Sequence, residues 1–158
     1  MVKKIIITGG LGYIGTELCK IYSGTSWHHK VIVFDNRFIS ERVNQIRNWN
    51  MEFVHGDILD KDLIVKYFKD ADVVHHLAGI TDVPRTKGES TNERDNKIKL
   101  VGEKGTQNIL DVVSDKCKII FPSTHVIYEG INEVKKDIGE EEVAMPVLSY
   151  SSSKATNE

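Results

Sequence analysis

The chain has 158 residues, 40% hydrophobic and 28% charged, with 21 basic against 23 acidic side chains and a formal net charge of -2, the balance of an ordinary globular protein of one-domain size. With no basic excess to neutralise a phosphate backbone, a nucleic-acid partner is not expected. No apolar run approaches the ~20 residues of a membrane span or the core of a signal peptide, so the expectation is a cytoplasmic protein with no membrane partner.

Apolar, β-branched runs of strand length recur at residues 3–8, 30–35, 51–55, 72–77 and 118–123. Near-continuous runs of this kind suit strands buried on both faces of a parallel sheet. Residues 12–23, 61–69 and 97–114 carry apolar side chains at helical spacing, and 37–50 reads as a shorter helix with Val43 and Ile46 inward,. Strand, helix, strand units predict an α/β fold, a doubly wound Rossmann sheet in the order 3-2-1-4-5 from right-handed crossovers. Two long polar connections, 79–95 and 125–148, read as loops covering a site. Without repeat or linker, residues 1–158 count as one domain. Cys19 and Cys117 lie far apart and read as buried thiols rather than a disulfide or zinc ligands. His75 and His76 point to opposite sheet faces and cannot chelate one metal, while His28 and His29 read as solvated. No metal is expected.

The strongest chemical signal follows the first strand. Thr8-Gly9-Gly10-Leu11-Gly12-Tyr13-Ile14-Gly15 leads directly into a helix, and glycines there permit a tight bend and bring backbone N–H groups close to a pyrophosphate on the positive end of the helix dipole. Gly10, Gly12 and Gly15 match G-x-G-x-x-G, and Gly9, Gly12 and Gly15 match G-x-x-G-x-x-G. No G-K-[ST] follows, so this is not a Walker loop. Asp35 ends the second strand about 20 residues beyond Gly15, where a dinucleotide fold holds the adenosine ribose through a carboxylate that repels a 2'-phosphate. NAD is therefore expected over NADP, with Arg37 as the residue able to oppose that preference.

On these motifs, together with Asp35-Asn36, Gly56-Asp57-Ile58, His76-Leu77-Ala78-Gly79, Gly105-Thr106-Gln107-Asn108, Ser123-Thr124 and the segment 146–154, the chain resembles the amino-terminal half of an extended short-chain dehydrogenase/reductase of the NAD-dependent epimerase/dehydratase family. The resemblance implies cofactor contacts from Gly9, Gly12, Tyr13, Ile14, Gly15, Asp35 and Asn36. It also implies that Asp57 and Ile58 flank the adenine and that Leu77, Ala78 and Gly79 line the nicotinamide side.

Tyr150 and Lys154 stand four apart in Tyr150-Ser151-Ser152-Ser153-Lys154, and on a helix beginning near Ser149 they share a face. A nearby cation and an oxidised nicotinamide favour the phenolate over a phenol whose ordinary pKa is about 10. Tyr150 becomes the acid and base, Thr124 hydrogen-bonds the substrate hydroxyl, and Lys154, as the resemblance implies, also contacts the nicotinamide ribose. Two positions depart from the family. Gly102 stands where relatives usually carry asparagine, and His125-Val126 replaces the Asp-Glu pair of dehydratases, which disfavours a 4,6-dehydratase.

The activity implied is NAD-dependent epimerisation of a nucleotide sugar, by oxidation of a hydroxyl to a ketone and re-reduction from the other face, or the cofactor-binding half of such an enzyme. A reductase or dehydrogenase of the same family and a non-catalytic dinucleotide-binding module are the alternatives. The resemblance implies a chain about twice as long and a homodimer in the complete enzyme. In 158 residues, the edge of the fifth strand is expected to be exposed, and the short helix bearing Tyr150 to be poorly held.

Overall fold

Five short parallel strands order the chain, and the β-branched runs anticipated from the sequence supply all of them. In the computed structural model, which describes residues 2–81, 83 and 86–158, these are β1 (Lys4–Thr8), β2 (Lys30–Asp35), β3 (Glu52–His55), β4 (Val73–His76) and β5 (Lys118–Ile120). They form one sheet in the order β3-β2-β1-β4-β5. Thr8 lies opposite Phe34 on one side and His76 on the other, so the carboxyl ends of the three central strands come together where the order reverses. In an open α/β sheet that reversal point is where ligands bind.

Between the strands run α1 (Tyr13–Ser23), α2 (Ser40–Asn48) and α3 (Lys61–Phe68). Alternation along β1 sends Ile5 and Ile7 to one face, packed with Val31, Val33, Cys19, Val43 and Ile46,. On the other face Phe34 meets Phe68 of α3 edge-on. Burial pushes the Cys19 thiol up to about 12, leaving it unreactive. Cys117, expected to be buried, is only half-buried. Asp60 caps α3 by accepting from the Asp62 and Leu63 amides at 3.1 Å each, which fixes the turn carrying Asp57 and Ile58.

Where the sequence reading counted one domain over residues 1–158, contacts divide the chain into two compact units. One is Met1–Gly79 with Gly105–Pro122, and the other is Ile80–Lys104 with Ser123–Glu158. The sheet belongs wholly to the first. The second takes in most of the two connections expected to be loops, held together by the helix Ser149–Asn157, which packs against both Asn92–Lys99 and His125–Tyr128. The expected helix over 97–114 in fact starts at Asn92, with Thr91 Oγ1 accepting from the Arg94 amide. It runs as α4 (Asn92–Lys99), a π-helical turn over Leu100–Lys104, and α5 (Gly105–Leu110). The loop expected over 79–95 is correspondingly shorter; its Asp82, Pro84 and Arg85 lie outside the described residues. The expected loop over 125–148 opens with a single helical turn, His125–Tyr128, and is clasped by Gly130 N–H to Met145 O and Met145 N–H to Ile127 O, both 2.8 Å.

The last helix, α6 (Ser149–Asn157), starts where expected. It is not poorly held: it packs against α4, the π-helical turn and the His125–Tyr128 turn, burying Ser151 and Ser153. A nine-residue helix has little stability of its own, so packing supplies it,. Among the described residues β5 pairs only with β4, and its Ile120 is 37% exposed, as expected of an uncovered edge.

Candidate functional site

The first unit gathers the sequence-predicted dinucleotide residues at the carboxyl ends of β1 to β4. Gly9 has φ +65 and a Cβ there would stand 2.8 Å from the Ala78 nitrogen, so the glycine turn and the 77–79 segment lie backbone against backbone. The Gly9 amide donates to Phe34 O at 2.8 Å and the Gly12 amide back to Gly9 O at 2.9 Å. A Cβ on Gly15 would meet Gly9 O at 2.4 Å, so this glycine lets α1 start against the turn. Thr16 N–H donates to Gly12 O, leaving the amides of Tyr13, Ile14 and Gly15 ahead of the first intrahelical bond. Their N-cap, Gly12, offers no side-chain cap, and no acidic residue stands in the first turn. Uncapped amides on a positive helix end fit a pyrophosphate. Tyr13 and Ile14 are exposed beside them.

Asp35 ties this turn to β2. Its Oδ2 accepts from the Leu11 amide at 2.9 Å and its Oδ1 from the Arg37 amide at 2.9 Å. The Arg37 guanidinium folds back on the same carboxylate, Nε to Oδ1 at 3.3 Å, and its Nη2 would lie 3.6 Å from a Cβ on Gly12. Asp35 is 4% exposed, with the half-exposed Arg37 side chain lying against its carboxylate. Next to it, Asn36 Nδ2 donates to Asp57 Oδ2 at 3.0 Å, while Asp57 Oδ1 accepts from the Leu59 amide at 2.9 Å. Ile58 is buried, its carbonyl accepting from Asn108 Nδ2 at 3.0 Å. A Cβ on Gly105 would strike Ile58, which accounts for glycine at the start of α5.

A hydrogen-bonded chain that spacing does not reveal holds the 77–79 segment. Ala78 N–H donates to Thr8 Oγ1 at 3.0 Å, Thr8 Oγ1 lies 2.8 Å from His76 Nδ1, and His76 Nε2 lies 2.9 Å from Thr106 Oγ1. Thr8 Oγ1 thus accepts from the Ala78 amide, while the Thr8 and Thr106 hydroxyls engage the two ring nitrogens of His76,. His76 is 2% exposed and couples the glycine turn, β4 and α5. The adjacent His75 turns to the other face, 2.8 Å from Tyr22 Oη, as strand alternation requires. Burial, with Lys118 adding to it, lowers its pKa. His29, expected to have no partner, accepts from the Lys3 amide at 3.3 Å.

The second unit carries Thr124, Tyr150 and Lys154. Thr124 precedes the His125–Tyr128 turn and its Oγ1 accepts from the Val126 amide at 3.4 Å, which leaves the hydroxyl proton to donate elsewhere. On α6 the Lys154 ammonium stands over the Tyr150 ring, 5.9 Å from its centroid. The sequence argument expected this cation to favour the phenolate, but burial decides in the protein alone. It pushes the Tyr150 phenol up and the Lys154 ammonium down from their ordinary values, because desolvation disfavours either charge. Gly102 acquires a steric reason: a Cβ there would stand 2.1 Å from Ser153 Oγ, and Asn157 Nδ2 donates to the Gly102 carbonyl at 3.0 Å. The missing side chain leaves the space that Ser153 Oγ fills where α6 lies against the π-helical turn. Among the described residues no three His, Cys, Asp or Glu side chains gather to hold a metal, and no helix is long and apolar enough to cross a membrane.

Comparison with known proteins bears on the residues of both units. The model of the 3-beta hydroxysteroid dehydrogenase/isomerase family matches residues 6–158. The chain is 35% identical over 144 residues to CDP-paratose 2-epimerase of Salmonella typhi, covering 84% of this chain and 40% of that one. It is 29% identical over 171 residues to dTDP-D-glucose 4,6-dehydratase of Dictyostelium discoideum, covering 98% and 38%. The crystal structure of UDP-glucose 4-epimerase from Brucella ovis in complex with NAD superposes with a TM-score of 0.79 at 28% identity, covering 99% of this chain and 46% of that one. The chain thus spans less than half the length of these relatives.

Proposed function

Because the chain belongs to the 3-beta hydroxysteroid dehydrogenase/isomerase family and is similar to nucleotide-sugar epimerases and dehydratases, we propose that it serves as an NAD-dependent nucleotide-sugar epimerase. The observation that carries this reading is Tyr150 paired with the Lys154 ammonium on α6, in a chain whose α1 amides are uncapped beside Asp35. NAD, when bound, supplies the reversible hydride acceptor and a positive charge. The α1 amides hold its pyrophosphate, Asp35 its adenosine ribose, Asn36, Asp57 and Ile58 the adenine end, and the 77–79 backbone the nicotinamide side. Tyr150 removes the proton of a sugar hydroxyl and returns it, Lys154 lowers the cost of the phenolate, and Thr124 orients the hydroxyl. Dehydration needs acid and base groups that His125-Val126 does not supply as an Asp-Glu pair would, which favours epimerisation. A homodimer and a cytoplasmic location belong to the same proposal.

The test is to incubate the protein with NAD and a panel of UDP-, dTDP- and CDP-sugars in deuterated water and to read the products by NMR. An inverted carbon without solvent deuterium is expected, since re-reduction returns the abstracted hydrogen. Deuterium incorporation with loss of water would indicate a dehydratase, and stoichiometric NADH a dehydrogenase. NAD binding without turnover of any sugar would favour the non-catalytic module.

Cofactor choice follows from Asp35. NAD is expected to bind at least about tenfold more tightly than NADP, a difference of about 1.4 kcal/mol, because the buried carboxylate faces a 2'-phosphate as a like charge. Arg37→Ala should widen the gap by uncovering Asp35 and removing the guanidinium beside it that would offset it. Calorimetric titration of both cofactors checks this, and NADP binding as tight as NAD would show that Arg37 dominates.

A further inference from the structure

Helix α6 begins badly by local rules. Its N-cap is Leu148, which has no polar side chain, and its first turn carries no acidic residue, so the segment meets the Leu148 amide with a neutral acceptor, Ser151 Oγ at 3.2 Å, and leaves the helix dipole without an anion of its own. The acceptor comes from Glu129, at the end of the His125–Tyr128 turn. Its Oε1 accepts from the Val147 amide at 2.8 Å, from the Leu148 amide at 2.7 Å and from the Ser151 hydroxyl. These partners lie 18, 19 and 22 residues away in sequence. Ser151, 1% exposed, closes the arrangement, its Oγ standing 3.2 Å from Leu148 N and 2.9 Å from Leu148 O.

From this convergence we propose that Glu129 is a positioning residue for Tyr150: it caps α6 from outside and sets the turn on which the phenol stands. The proposal rests on the reading of Tyr150 as the proton-transfer group. Tyr150 is the second residue of α6 and Ser151 the third, so the carboxylate holds the backbone before the phenol's own Cα and the side chain of the residue just after it. Lys154 follows one turn on, and a helix that frays at its start loses the ring-over-ammonium geometry first, because helix ends open before helix middles. Partial burial pulls the Glu129 carboxyl up, but the Ser151 hydroxyl and the Leu148 and Val147 amides outweigh it and hold the group below its ordinary value. The acceptor is therefore the anion at neutral pH.

The experiment compares wild type with Glu129→Leu and Glu129→Gln in the full-length protein, following amide hydrogen exchange and steady-state kinetics with the sugar that wild type turns over. Glu129→Leu should speed exchange at Leu148 and the first turn of α6 at least tenfold and lower kcat by a similar factor, with KM within about twofold. Glu129→Gln, which keeps a carbonyl acceptor but no charge, should recover part of both, and it carries the test if the leucine variant does not fold. Faster exchange with unchanged kcat would overturn the proposal, leaving Glu129 as packing only. So would unchanged exchange. The reading of Tyr150 stands or falls separately, on whether Tyr150→Phe retains turnover.

Discussion

Tyr150→Phe is expected to lower turnover by about a hundred- to ten-thousand-fold, the usual weight of a positioned general acid and base, while leaving NAD affinity within a few-fold of wild type. The ring and its contact with Lys154 survive the substitution, and only the transferable proton is lost. Lys154→Met should lower turnover comparably and also weaken NAD binding, since the ammonium both favours the phenolate and is proposed to contact the nicotinamide ribose. Thr124→Ala should lose less, because its hydroxyl orients rather than transfers. Burial raises the Tyr150 pKa, so turnover is expected to rise with pH as the phenolate is populated, and to fall again where the Lys154 ammonium, its pKa lowered by burial, gives up its proton. That rise should disappear in Tyr150→Phe. Steady-state kinetics over a pH series measures all of this, and near-normal turnover by Tyr150→Phe would end the proposed mechanism.

Gly9→Ala is expected to destabilise the protein by about 2–5 kcal/mol. About 1–2 kcal/mol comes from placing an alanine in the left-handed region, where Gly9 has φ +65. About 1–3 kcal/mol more comes from overpacking, since a Cβ would press on backbone atoms of Leu77 and Ala78 at 2.8 to 2.9 Å. Backbone on a sheet end has little room to retreat, and any retreat moves Ala78 off Thr8. NAD binding should therefore fall in the same variant. Gly79→Ala is the control, because nothing lies within 4 Å of a Cβ there, and its stability should match wild type. Urea denaturation compares the two. A Gly9→Ala protein as stable as wild type would contradict the close approach of the glycine turn to the 77–79 segment.

The sheet and its order were legible from residue pattern because local and global preferences agree there. Ile5, Ile6 and Ile7, or Val31, Ile32 and Val33, satisfy strand propensity and two-sided burial at once,, and right-handed crossovers leave few orders to choose from. The glycine turn after β1 was legible for a similar reason, since segments that lie backbone against backbone leave glycines at set intervals,. The second unit was not. Residues 92–99 are too polar to show a helical period, and what makes them helical is the Thr91 cap and the packing of α6, neither visible to periodicity.

Three features were decided only by the tertiary structure. Gly102 reads in sequence as a lost side chain, and in the fold as the space Ser153 occupies. The ammonium of Lys154 was expected to favour the Tyr150 phenolate, but desolvation acts on both groups and outweighs it in the protein alone. Glu129 lies twenty residues before the helix it caps, and no spacing rule spans that gap. Sequence pattern reports what each residue wants from its neighbours along the chain, and so determined the sheet and the dinucleotide turn. Burial, close approach and capping at a distance depend on which segments meet, and that only the folded chain decides.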